Sequence, residues 1–300
     1  MTSNKIGFNV ESLCFDTSQQ WPWRWDCAQG FWLPTKGEPN PVVLGRWMDV
    51  GCNWLRYGSG TCGNQYTVAD AVMNGFTLLD FMRCCQIANA NPIIQLPIWQ
   101  PPQVSVDLVK LARKSGYAGK IYLEVGNEPW WSQAPVGGQY LFSASDYIPI
   151  FNAIYDAIPD HTGLEFGVPF IDSNEWDVPG RKEWDGQIWD ALNDKMQWVS
   201  VHQYSTRPSH YIEVLGRIAK RTSGLPMIVT EWNYEGYHEK MYLPEMRNFI
   251  LATLKILEGI PEVIGHTIWD SSCAGYWKLF EQDNKPLPAW EAYEMFKSET

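Results

Sequence analysis

No two of the seven cysteines stand in a CxxC pair, and the five histidines include no His-x-His. The common zinc and redox motifs are therefore excluded, and a metal-dependent barrel hydrolase, which typically carries a histidine pair on its first strand, finds no ligands there. The odd cysteine count leaves at least one thiol unpaired. A Cys14–Cys27 bridge across one loop stays open, whereas Cys84 and Cys85, inside a helical pattern, read as buried apolar residues. Basic charge is also scarce: 23 Lys and Arg against 34 Asp and Glu give a net charge of -11, with no lysine- or arginine-rich run. Nucleic-acid binding depends on neutralising phosphates, so such a partner is not expected. No apolar run approaches the ~20 residues that span a bilayer, so no membrane partner is expected either. The start MTSNKIGF has no basic region followed by an apolar stretch, so no export leader is read, which leaves the cytoplasm or export with a leader already removed.

What the chain holds in excess is aromatic. Seventeen Trp and fourteen Tyr among 300 residues exceed what a core needs, and flat side chains in such number often line clefts that stack on sugar rings or bases. With bases disfavoured by charge, a neutral hydroxyl-rich ligand fits better. An apolar fraction of 45% is ample for a core.

Short β-rich runs recur along the whole length: IGFNVES near Ile6, NWLRYGS near Trp54, PIIQLPIW near Ile94, IYLEVGN near Leu123, LEFGVPF near Phe166, WVSVHQY near Val201, MIVTEWN near Val229 and VIGHTIW near Thr267. Amphipathic segments of helical period lie between them, at Ala69 to Ala90, Val104 to Lys114, Ala144 to Ala157, Tyr211 to Arg221 and Pro244 to Leu257. Eight strands alternating with helices predict an α/β fold, a closed (β/α)8 TIM barrel filling residues 1–300 as one domain. A doubly wound open sheet would hold a nucleotide on a glycine-rich first turn, and the turn after the first strand has no such run. The first loop, about residues 14–41, carries Trp21, Trp23, Trp25 and Trp32 and forms either a wall of the cleft or an aromatic plug over the barrel mouth.

Barrel sites lie where strands end. The strand ends here are polar: Glu11, Arg56, Trp99, Asn127 with Glu128, His202 with Tyr204, Glu231 with Trp232, and Trp269. Two of these glutamates, in YLEVGNEPW and MIVTEWNY, give the carboxylate pair that is the minimal machinery for breaking a glycosidic bond. Singly each residue has a plainer reading: Glu128 as a turn before Pro129, Glu231 as an ion-pair partner, His202 as a buried structural ring, Arg56 as a surface charge.

Asn127-Glu128-Pro129 ending the fourth strand and Glu231 ending the seventh resemble the retaining glycoside hydrolases of clan A, the 4/7 superfamily. Arg56 on the second strand, His202-x-Tyr204 on the sixth and Trp269 on the eighth fit the same pattern. GFNVES with Glu11, the stretch GFTLLDFMRCCQIANANPII and YLEVGNEPWW look most like the family 51 arabinofuranosidases and their xylosidase and glucuronidase relatives. The resemblance implies Glu128 as general acid and base, Glu231 as nucleophile held anionic by Arg56 and Tyr204, and Asn127 on the sugar 2-hydroxyl, with no metal or cofactor. It implies a carbohydrate substrate, with Glu11, Trp99, His202, Trp232 and Trp269 contacting it and Trp269 as the platform at the cleavage point. Trp130 and Trp131 either join that surface or pack under a loop, and His238 and Glu239 read as a solvated loop; the role of Glu124 stays open. The arabinofuranosidases usually carry a β-sandwich, whereas Lys285 to Thr300 reads as a final barrel helix, and the turn Tyr57-Gly58-Ser59-Gly60 departs from theirs. Sugar, linkage and anomer therefore do not transfer, and a non-catalytic carbohydrate-binding barrel is the alternative reading.

Overall fold

The computed structural model describes residues 5–10, 31–33, 36–58, 64, 66, 76–131, 143–172, 183–235, 243–269, 279–280 and 285–300. The eight apolar runs form eight parallel strands: β1 Ile6–Val10, β2 Trp54–Tyr57, β3 Asn91–Leu96, β4 Ile121–Val125, β5 Leu164–Phe170, β6 Trp198–Ser205, β7 Met227–Tyr234 and β8 Val263–Ile268. Each pairs with its sequence neighbours, and β8 closes onto β1 to complete a barrel. The helices are α1 Pro41–Asp49, α2 Leu78–Ala88, α3 Pro102–Lys114, α4 Ala144–Ala157, α5 Trp184–Leu192, α6 Ser209–Arg221, α7 Pro244–Gly259 and α8 Pro288–Glu299. Their starts are marked in the sequence. Thr77 with Asp80 and Ser143 with Asp146 build capping boxes for α2 and α4, and proline opens α1, α3, α7 and α8.

The predicted (β/α)8 barrel is thus the observed fold, with two additions. Helices α1 and α5 carry weak signals: α1 begins at the edge of the predicted long loop, and α5 spells WDGQIWDAL, with a glycine and two aspartates in nine residues. Part of that loop is ordered as a hairpin, Trp32–Leu33 against Glu38–Pro39. Residues 11–30, which hold Glu11, Cys14, Cys27, Trp21, Trp23 and Trp25, lie outside the described residues, as do His238 and Glu239. Cys84 and Cys85 are buried free thiols, as their helical setting predicts. The run Gly58 to Gly63 spells GxGxxG, but it follows the second strand of a closed barrel, and Asn64 just beyond it is buried against the barrel's own β4 end.

Side chains alternate along each strand, and two-residue steps carry the interior from apolar to polar. The strand starts supply the floor: Trp54, Ile93, Trp198 and Ile228 pack with Tyr122 and Ile264. The rings of Trp54 and Tyr122 meet edge to face at 4.7 Å. Gly7, Gly265 and Gly167 make room for them, since a Cβ at Gly7 or Gly265 would stand 2.5 Å from an atom of Trp54 and one at Gly167 would overlap the Trp198 indole. Two residues further along come Arg56, Gln95, Glu124, Ser200 and Thr230, all buried. This layer is polar where barrels usually place branched apolar residues. Helices cover the outer face through the large apolar core. Among the described residues no helix is long and apolar enough to cross a membrane.

Strand β7 departs from strict alternation at one point. Ser200 pairs with Ile228 but His202 pairs with Glu231, and on the other side His266 pairs with Val229 but Ile268 pairs with Trp232. Both neighbours register one extra residue in β7, a β-bulge at Thr230–Glu231. Both of these residues consequently face the barrel interior, and Trp232 faces out.

Candidate active site at the C-terminal mouth of the barrel

Arg56 is the centre of the polar layer. Its guanidinium, with no solvent exposure, donates from Nε to Glu124 Oε2 at 2.6 Å, from Nη1 to Asn9 Oδ1 at 3.0 Å and Glu231 Oε1 at 2.8 Å, and from Nη2 to Asn127 Oδ1 at 2.7 Å. The planar fork thereby fixes side chains from β1, β4 and β7 and from the turn after β4 in one frame. Burial acts against the charge, but Glu124 and Glu231 outweigh it and the guanidinium stays cationic. The surface-charge reading of Arg56 is overturned by this burial.

Glu124 uses its other oxygen, Oε1, to accept from the Ser200 hydroxyl and, at 2.8 Å, from Thr230 Oγ1. Burial would raise its carboxyl, yet Arg56, His202 and the Ser200 hydroxyl hold it down at about 2. Above these side chains, His202 Nδ1 stands 3.1 Å from Glu128 Oε1 and 3.4 Å from Glu231 Oε2, while its Nε2 faces Glu124 Oε1 at 3.6 Å. Burial favours the neutral ring, but the attraction of Glu231, Glu124 and Glu128 prevails and pushes His202 up to about 10. It is an imidazolium at neutral pH.

Glu231 receives Arg56 on one oxygen and the Tyr204 hydroxyl on the other, at 3.1 Å. The two contacts expected from the sequence are present, but they do not set the direction of its ionisation. Burial pushes the carboxyl above its ordinary range, Glu128 and Glu124 add to the rise, and His202 and Arg56 only oppose it. Glu128 is the more open of the pair, its side chain 24% exposed against 6% for Glu231. Its backbone sits at φ +41°, a left-handed conformation that non-glycine residues hold only when their surroundings enforce it. Asn64 supplies that enforcement: its Oδ1 accepts from the Asn127 N–H at 2.7 Å and its Nδ2 donates to the Asn127 carbonyl at 2.6 Å. Asn127 Nδ2 is buried without a partner among the described residues, leaving a donor for a ligand hydroxyl.

The structure brings Arg56, Asn127, Glu128, His202, Tyr204 and Glu231 together. Trp99 and Trp269 are half-buried just beyond the ends of β3 and β8, Trp99 with its backbone N–H bonded to the Asn64 carbonyl. Trp232 is a correction: the bulge turns its ring outward, where it is fully buried edge to face on Tyr211 and His266, away from any ligand. Trp130 is also buried, packed against Trp184 at 5.5 Å; of Trp131 only the backbone is described. Asn9, Asn64, Ser200 and Thr230 are participants the sequence did not single out. For Asn9, Ser200 and Thr230 the signal was parity with Arg56 and Glu124 along the strands; Asn64, in a loop, carries none.

Donor atoms of Glu128, His202 and Glu231 lie within 4.8 Å of one another. Arg56 already holds one oxygen of Glu231, Oε1, and the other faces His202 and Tyr204.

Arg56→Met tests how far the layer depends on its cation. Removing one partner of a buried charge set leaves Glu124 uncompensated, and a loss of about 3–5 kcal/mol is expected in urea denaturation at pH 7. The sign with pH is fixed by the depressed Glu124 carboxyl: in the wild type its contribution is complete above the ordinary carboxylate value and lost as pH falls through about 2. The gap between variant and wild type therefore narrows on acidification.

The family model described as glycosyl hydrolase catalytic core matches residues 98–293. The chain belongs to this family. Among solved structures, the glycosyl hydrolase core resembles the family 51 α-L-arabinofuranosidase AbfB of Bifidobacterium longum, with a TM-score of 0.74, 13% identity, and 99% of this chain and 74% of that one covered. A family 128 subgroup I endo-β-1,3-glucanase of Amycolatopsis mediterranei, solved with laminaritriose, gives 0.58 at 15% identity, covering 98% and 99%. A GH5-4 broad-specificity endoglucanase from an uncultured bacterium gives 0.63 at 11% identity, covering 99% and 94%. At these identities the likeness is one of fold. No curated protein matches the chain. The clan A resemblance read from the strand ends is thus met in a glycosyl hydrolase core whose structural neighbours belong to families 51, 128 and 5.

Proposed function

We propose that this glycoside hydrolase cleaves a poly- or oligosaccharide with retention, by double displacement through a covalent glycosyl ester on Glu231. The observation that carries the reading is the closeness of the two carboxylates, one oxygen of Glu128 lying within 4.8 Å of one oxygen of Glu231. Retaining pairs stand about 5–5.5 Å apart, whereas inverting pairs need about 6.5–9.5 Å to admit a water beneath the sugar.

The two acids sit in different surroundings, which divides their work. Glu231, buried under Arg56, Tyr204 and His202, meets only what reaches the floor of the cleft, as a nucleophile beneath the anomeric carbon requires. Glu128, partly open, can protonate a leaving oxygen and then take a proton from incoming water. The Asn127 Nδ2 donor, without a partner among the described residues, suits the 2-hydroxyl, a bond that strengthens as the oxocarbenium character grows. Trp269 offers an apolar face for the ring. Because the structural neighbours include a laminaritriose-bound glucanase and an endoglucanase, β-glucans stand first in a substrate panel.

Incubation with 2-fluoro glycosides bearing a good leaving group tests the reading. An intact-mass gain of one fluoroglycosyl unit, mapped to the peptide of Glu231, is expected, and NMR of early product should show the substrate's anomeric configuration. Inverted product, or turnover with no adduct, overturns retention. A binding barrel would show affinity with neither product nor adduct.

A further inference from the structure

One acid beneath the pair has no part in the double displacement. Glu124 is fully buried, and its oxygens accept from Arg56, Ser200 and Thr230 and face the side of His202 remote from the pair. It lies directly under two cations that themselves touch the catalytic carboxylates. We propose that Glu124 is a positioning residue: as the buried counter-ion of Arg56 and His202 it locks both cations in place against the two catalytic carboxylates.

The count of charges makes the argument. Arg56 and the His202 imidazolium bring two positive charges, and Glu124 is the buried carboxylate that faces both. Without Glu124 the two cations lose that counter-charge, and an excess of positive charge in a buried site expels a proton. The guanidinium does not deprotonate, so the proton leaves His202, and the cation that faces Glu128 and Glu231 is lost at a lower pH. Glu231 would also ionise at a lower pH, since one of the two carboxylates that oppose its ionisation is gone. The titratable and charged groups facing Glu124 are Arg56 of β2, His202 of β6, Glu231 of β7 and, through the barrel wall, Tyr147 of α4, whose hydroxyl donates to the Val125 carbonyl at 2.6 Å. None of the others can replace its charge: Glu231 is the nucleophile of the proposal and Tyr147 is a neutral phenol.

The inference rests on the retaining reading, and the tests keep the two apart. Histidine-labelled wild-type protein has five ring signals to follow by NMR. His202 should remain an imidazolium at pH 8, and a midpoint near the free value of about 6.5 overturns the proposal without any variant or substrate. Glu124→Gln keeps the shape and an acceptor; it should lower the His202 midpoint by about one unit or more and move both limbs of the kcat/KM profile to lower pH by about one unit. At pH 7 kcat should fall at least tenfold with KM within twofold, since Glu124 is fully buried. Glu124→Asp restores the charge and should return both limbs to within about 0.3 units of wild type, even where kcat stays low through misplacement. A folded Glu124→Gln protein with unmoved limbs, or a Glu124→Asp protein whose limbs move as far as those of Glu124→Gln, overturns the assignment. Should the glutamine variant fail to fold, the wild-type titration and the aspartate variant still decide. Should the wild type hydrolyse no sugar while His202 titrates as expected, the catalytic reading fails and the role of Glu124 in holding His202 cationic stands.

Discussion

Glutamine in place of Glu231 should lower turnover on the order of 10⁵-fold, since loss of the proposed covalent nucleophile would remove the route and not merely one contribution to it. The fold should survive the change. The amide has the same size, its oxygen can still accept from Tyr204 or Arg56, and Glu124 remains to pair the guanidinium. Stability should not fall near neutral pH. A carboxyl raised by burial contributes most while it is protonated, and it weakens the folded state as pH climbs through its ordinary range and beyond. Glutamine removes that penalty. Single-turnover kinetics on an activated glycoside, beside a thermal melt at pH 7, check both halves. Hydrolysis above about a hundredth of the wild-type rate would remove Glu231 from the role, because no such residue leaves that much when it is lost.

The Glu128→Gln variant should lose up to about 10⁴-fold on substrates whose leaving group is another sugar, the range that general acid and base catalysis supplies. The loss depends on what leaves. A dinitrophenolate departs without a proton, so the first step on such a substrate should run close to the wild-type rate and the glycosyl ester should accumulate. Its breakdown then stalls, because no base draws the proton from water. Azide needs no base. It should attack the anomeric carbon, break the ester bond, return Glu231 as a free carboxylate and leave a glycosyl azide of the starting configuration. A variant that loses the same factor on every leaving group, with no azide product, would place Glu128 outside the proton transfer. The Asn127 Nδ2 donor, one residue earlier, should be untouched by the change, so KM is expected to hold.

The barrel was legible because its strands are written as short apolar runs at regular spacing and several helices announce themselves by caps. Helix α5 was not, because its glycine and aspartates dilute the period, and burial of Trp184, Ile188 and Leu192 is what makes it a helix. At the site, the members legible from sequence were those standing at strand ends: Arg56, Asn127, Glu128, His202, Tyr204 and Glu231. Those missed act from below or from the side. Glu124 was noticed and left without a role, since nothing in IYLEV tells whether its fourth position faces a helix or an arginine. Asn64 holds the Asn127 backbone by a contact between loop and turn that no periodicity encodes. The direction of the Glu231 ionisation was missed for a related reason. Sequence reveals which cations stand near an acid but not how much water has been taken from it.

The Trp232 correction and the presence of Glu231 in the cleft have the same origin, the extra residue in β7. Side-chain identity is not what decides between the two: a strand spelled identically but paired in strict alternation from Ile228, without the bulge, would turn the Trp232 indole toward the cleft and Glu231 toward the helices. The proposed site of this barrel is therefore stored partly as a register, like a reading frame.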